Sequence, residues 1–182
     1  MSHDPTWEAQ FEAERERLGP VFSSIQGFAH HIGSTSVPGL VAKPIIDILV
    51  VVDDDSHLDR LDPDMIQRGY TPRGECLDAG GTPGRFYYSR TVNGQRTHQV
   101  HVCRAGHPQI RELLLFARYL REHADVAAEY GALKVAAIAD GNVDTAAYME
   151  KKHDWIRTTT RIAVAHYEHA EQRPPTPLRT DM

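Results

Sequence analysis

Residues 31–52 read HIGSTSVPGLVAKPIIDILVVV: a loop of small residues, a Lys-Pro step, then an aliphatic run broken by one acid, Asp47. An aspartate among Ile45, Ile46, Ile48, Leu49, Val50, Val51 and Val52 is costly to desolvate unless a cation, hydrogen-bond donors or a cleft receives it. The run reads as a strand from about Ile45 to Val52 whose acid faces a site. Upstream, Gly33, Ser34, Thr35 and Ser36 combine flexible backbone amides with three hydroxyls. Such a turn approaches phosphate oxygens without interference from Cβ atoms. Phosphate with a metal ion is the chemistry to which the pairing points. Taken singly, each feature is also common in turns that carry no site.

Composition bounds the rest. With 182 residues, 41% of them hydrophobic, the chain can bury one substantial core. A single domain over 1–169 is expected, followed by a proline-rich, disordered tail over 170–182. A net charge of −5 and a pI near 6.1 give no overall attraction to DNA, so a mononucleotide-sized partner fits better. Two cysteines, Cys76 and Cys103, suggest neither a disulfide scaffold nor a zinc ribbon. With no apolar leader ahead of the fold, a cytoplasmic protein is expected. No apolar run approaches the ~20 residues of a membrane helix, and nothing in the sequence sets an oligomeric state.

Thr6 reads as the N-cap of a first helix, with Trp7, Phe11 and Leu18 on one face and Glu12, Glu14, Arg15, Glu16 and Arg17 around the rest. Gly19-Pro20 is expected to interrupt it, and a short helical segment to follow as far as Gln26. Phe28 to Ile32 reads as a strand that delivers His30 and His31 to the Gly-Ser turn. Asp53-Asp54-Asp55-Ser56 supplies an N-cap for a helix through Leu58, Leu61, Met65 and Ile66, closed by Gly69. Its acids fit the macrodipole more readily than a metal site. Residues 73–84 read as an ill-patterned strand and a glycine-rich turn or flap. Asn93-Gly94 marks a hairpin between Arg85–Thr91 and Arg96–Cys103. Helical spacing follows in Ile110, Leu113, Leu114, Ala117 and Leu120, then in an alanine-rich helix from about Asp125 to Ala139 and a long last helix from about Asp144 to Glu168.

The stretch H-IGSTSVPGL-x-AKPIIDI resembles the hallmark of the GrpB family almost letter for letter. Arg85-Phe86, the strand from Arg96 to Val102, Lys134, and Lys152 with Tyr148 and Trp155 around it look like its later landmarks. The family resembles a branch of the nucleotidyltransferase superfamily, whose motif is a Gly-Ser pair, a spacer, and Asp-x-Asp or Asp-x-Glu on a strand. Gly33-Ser34 and Asp47 match that layout. Two residues after Asp47, where the superfamily places its second metal-binding carboxylate, stands Leu49. Period-two geometry puts both on one strand face, so the leucine removes a ligand rather than moving it. The resemblance implies an α/β (α+β) fold: a nucleotidyltransferase-like mixed sheet of four or five strands packed against helices, with a C-terminal helical segment closing over the site.

On this reading Asp47 and Ser34 are the catalytic candidates, with Asp47 holding a divalent ion and Ser34 and the loop amides holding phosphates. Gly33, Ser34, Thr35, Ser36, Lys43, Arg85, Arg96, Lys134, Tyr148 and Lys152 form the phosphate-binding set. Lys134 and Lys152 each follow a tyrosine by four residues, Tyr130 and Tyr148, so each pair shares a helix face. That spacing equally suits a ring covering a lysine stem, and the resemblance is what raises these two lysines above the others. His101 and His31 are candidates to join Asp47 as metal ligands. The ion is magnesium, manganese or zinc, imidazoles favouring the latter two over magnesium. There is no P-loop, no G-x-S-x-G elbow, and His153-Asp154 lacks the partners of a His-Asp phosphohydrolase. The expected function is that of a nucleotidyltransferase-like protein that binds a nucleotide or phosphorylated small molecule and transfers a nucleotidyl group to a small acceptor. The alternatives are a non-catalytic binding or regulatory module that has lost the second carboxylate, and a metal-dependent phosphoesterase.

Overall fold

A computed structural model of the chain describes residues 2–53, 58–75, 82–139 and 145–171. The first helix, α1 (Trp7–Phe22), contains Pro20 and runs past the expected break. Trp7, Phe11, Leu18, Val21 and Phe22 all lie at 5% exposure or less, so burial of its last turn outweighs a lost backbone bond. Thr6 precedes the helix, but its hydroxyl donates to Asp4 Oδ1 (2.7 Å) instead of capping. Glu14, expected on the exposed side, falls on the apolar stripe and is buried. There it accepts hydrogen bonds from Tyr70 Oη and Arg90 Nη1, both at 2.9 Å.

Strand β1 (Phe28–Ile32) leads through a 3₁₀ turn, Ser34–Ser36, to β2 (Ile46–Val52). After another 3₁₀ turn, Leu58–Leu61, come α2 (Asp62–Gln67), β3 (Tyr70–Pro72), β4 (Arg85–Val92) and β5 (Gln95–Arg104). Asn93 and Gly94 have φ of 52° and 77°, the left-handed pair that closes a two-residue hairpin. Residues 54–55 of the acidic run with Ser56, Cys76, and the first half of the glycine-rich turn lie outside the described residues, as does the proline-rich stretch from 172.

The five strands form one mixed sheet in the order β1-β2-β5-β4-β3. Only β2 and β5 are parallel. One face of the sheet, with Ile46, Ile48, Val50, Val52, Tyr88, Val100 and Val102, packs against α1 and α2 in the main core. On the other face Leu49 and Cys103 are sealed by Ile110, Leu113 and Leu114 of α3 (Pro108–Glu122). Among the described residues two more helices follow, α4 (Ala124–Ala139) and α5 (Ala146–Glu171). Val37 and Leu40 of the loop before β2 pack with Leu120, Ala127, Tyr130 and Trp155, which brings both helices over the Gly-Ser turn. Among the described residues no helix is long and apolar enough to cross a membrane.

Candidate functional site

Asp47 is the second residue of β2, opposite Ile32 on β1 and Gln99 on β5. The chain leaving β1 therefore turns directly over its carboxylate. Gly33 makes that turn at φ 71°, and a Cβ there would lie 2.9 Å from Asp47 Cβ and against the carboxylate. Only glycine combines this φ with this approach. The next hydroxyls brace the loop: Thr35 Oγ1 donates to Ile45 O (3.3 Å), and Ser36 Oγ donates to Gly33 O (2.8 Å) while accepting from Arg121 Nη1 (3.3 Å).

Ser34 reaches a residue 100 positions away. Lys134 Nζ donates to Ser34 Oγ at 2.5 Å and to Val41 O at 3.1 Å, and it sits 3.8 Å from the centroid of the Tyr130 ring. Tyr130 in turn stacks flat on Trp155 of α5, centroids 4.5 Å apart. Gly131, one turn before Lys134, faces Leu40 and Val41, and a Cβ there would find only ordinary van der Waals contact with them. Burial pushes the Asp47 carboxyl up to about 7, against the attraction of Lys152 and Lys134. Burial, then the Lys152 charge, brings Lys134 down to about 7, opposed by Asp47. Lys152 is also lowered, chiefly by burial.

These groups line a cavity of about 400 Å³, whose walls also include Lys43, Arg96, Gln99, Tyr148, Ile138 and Met149. Of the residues singled out in the sequence, Ser34, Thr35, Lys43, Asp47, Arg96, Lys134, Tyr148 and Lys152 meet there. Arg85 does not. It pairs with Cys103 at the far end of β5, where its charge acts on His101 and Cys103.

The expected ligand set of His31, Asp47 and His101 is not assembled. His31 lies opposite Ile48, on the other face of the sheet from Asp47. It stacks on Phe11 and places its ring nitrogens 3.1 Å from Glu8 Oε2 and 3.1 Å from Thr35 Oγ1. His101 shares the Asp47 face but is in register with Leu49, one pleat away, and stacks on Tyr87. Burial and Arg85 hold its imidazole down at about 4. Gln99 is the residue of β5 that faces Asp47, and its parity with His101 was the only sequence signal for it. Among the described residues no group of three or more His, Cys, Asp or Glu side chains is placed to hold a metal ion. One carboxylate beside two lysines, with Leu49 fully buried two residues on, is a poor fit to a two-ion centre.

A family model described as GrpB protein matches residues 1–161. The YqkA protein of Bacillus subtilis is 40% identical over 161 residues, which are 88% of this chain and 46% of that protein. The chain thus spans about half the length of that relative. The crystal structure of the conserved protein GrpB from Enterococcus faecalis, 36% identical, superposes with a TM-score of 0.82 over 92% of this chain and 98% of that one. The Cid1 poly(U) polymerase, at 17% identity, shares the fold with a TM-score of 0.53 over 75% of this chain and 44% of that one.

Proposed function

The chain belongs to the GrpB family, and we propose that its cavity binds a nucleotide or another phosphorylated small molecule. The charge of the walls carries this reading. Among the described residues Lys43, Arg96, Lys134 and Lys152 line the cavity with a single carboxylate, Asp47, in a protein whose net charge is −5. Cations gathered in a cleft of an acidic protein concentrate small anions there while the rest of the surface repels large polyanions. The volume suits a metabolite-sized ligand, and Ile138, Met149 and Tyr148 give its non-phosphate part an apolar and aromatic wall.

Transfer of a nucleotidyl group to a small acceptor is the finer form of this proposal. The nucleotidyltransferase-like fold supports it, and so does an Asp47 that titrates near neutrality and is suited to take up an acceptor's proton. The binding-module reading draws on Leu49, which is buried where a second carboxylate would stand.

Thermal unfolding with the four ribonucleoside tri- and monophosphates tests the binding step. A ligand at ~100 times its dissociation constant stabilises by about 2.7 kcal/mol, and that shift is expected to shrink in Lys152→Gln. No shift with any of the eight removes the nucleotide from the proposal and leaves it to other phosphorylated small molecules. Product analysis with the ligand that binds then separates the two forms: turnover abolished by Asp47→Asn selects the transferase, and binding without turnover selects the module.

A further inference from the structure

The wall around Asp47 holds two ammonium groups, those of Lys134 and Lys152. Resting on the reading of the cavity as a phosphate site, we infer that it takes its ligand metal-free, as a phosphomonoester or a short phosphate chain, with Lys134 and Lys152 supplying the positive charge.

Three observations converge. The position two residues after Asp47 is closed, because Leu49 has 0% exposure and packs with Ile32 and Cys103 beneath Ile110, Leu113 and Leu114. No ion could be shared between Asp47 and that point. The neighbour of Asp47 across the parallel pair is Gln99, a neutral amide that cannot replace a second carboxylate. Finally, Lys134 is fixed in place. Ser34 Oγ and Val41 O take two of its hydrogens, the Tyr130 ring lies over its ammonium, and Trp155 backs that ring. Lys152, on the same cavity wall, lies close enough to act on both Asp47 and Lys134.

A divalent cation entering this space meets two ammoniums and one carboxylate, whereas a phosphoryl group meets two ammoniums with Lys43 and Arg96 beside them. Charge-assisted hydrogen bonds from preplaced lysines need no ion as intermediary. Phosphate chains that carry their own magnesium enter less well, because the metal masks the oxygens that the lysines would bind.

Isothermal titration with inorganic pyrophosphate tests this, once in EDTA and once with excess magnesium. The expected result is binding in EDTA that weakens when magnesium is added. It should also weaken roughly tenfold in Lys152→Gln, the loss of one charge-assisted hydrogen bond. Lys152 is only half-buried, so this variant is expected to fold, and circular dichroism checks that it does. Binding that requires magnesium or manganese overturns the inference while leaving the phosphate site intact. Binding in EDTA that Lys152→Gln does not weaken overturns it as well. No binding under any condition overturns this inference, and the reading on which it rests is then decided by the nucleotide unfolding series.

Discussion

Lys134 and Asp47 are displaced toward each other on the pH scale chiefly by burial, which disfavours the charged form of each, with the Lys152 charge lowering Lys134 further, and both come to titrate at about 7. As pH falls through that value Lys134 gains a positive charge and Asp47 loses a negative one, so both changes make the cavity more attractive to an anion. As pH rises the two changes reverse and the attraction falls. Sulfate, whose own charge is constant near neutrality, is therefore expected to bind more tightly at about pH 6 than at about pH 8, by roughly tenfold if both groups respond. Titration calorimetry at the two pH values checks this, and a flat profile would mean that neither group changes charge in that window. Asp47→Asn should retain the part of the dependence that comes from Lys134. Gly33 is the other decisive single residue, since any side chain there would push on Asp47 from a backbone conformation that disfavours it.

At the scale of elements, α4 and α5 act on the site as one unit. Lys134 is on α4 and Lys152 on α5, and the stack of Tyr130 on Trp155, with Phe116 of α3 edge-on to both, joins the helices behind the lysines. Trp155→Ala is expected to cost about 2–4 kcal/mol, somewhat less than for a fully buried aromatic, as read by urea unfolding. It should also weaken pyrophosphate binding, because the ring beneath Lys134 loses its support. Lost stability with unchanged affinity would make the stack purely structural. The direction of β5 matters in the same way. Running parallel to β2, it brings Gln99 level with Asp47 and sets His101 beside Leu49.

The whole molecule divides into a sheet unit and a helical cap. The main core is built from α1, α2 and the strands without any residue of α4 or α5, and the clusters under the cap are smaller. Native-state hydrogen exchange should find amides of β2 and β5 opening only with global unfolding, and those of α5 through a partial opening cheaper by about 2 kcal/mol or more. A bound anion should slow exchange in α4 and α5 first, because it ties their lysines to the Gly-Ser turn; equal opening energies in β2 and α5 would contradict this division. The sequence by itself determined what short-range chemistry encodes: the strand around Asp47, the Asn93-Gly94 hairpin, the period of the three late helices, and an acid too costly to bury without a purpose. It also singled out the lysines that line the cavity, through resemblance rather than spacing. Tertiary structure alone decided that Pro20 stays helical, that Glu14 turns inward to Tyr70 and Arg90, that His31 faces away from Asp47, and that Arg85 sits at the other end of its strand. The physical reason is that local pattern sets which residues share a face. Register, strand direction and the approach of an element 100 residues away are set by burial summed over the whole core.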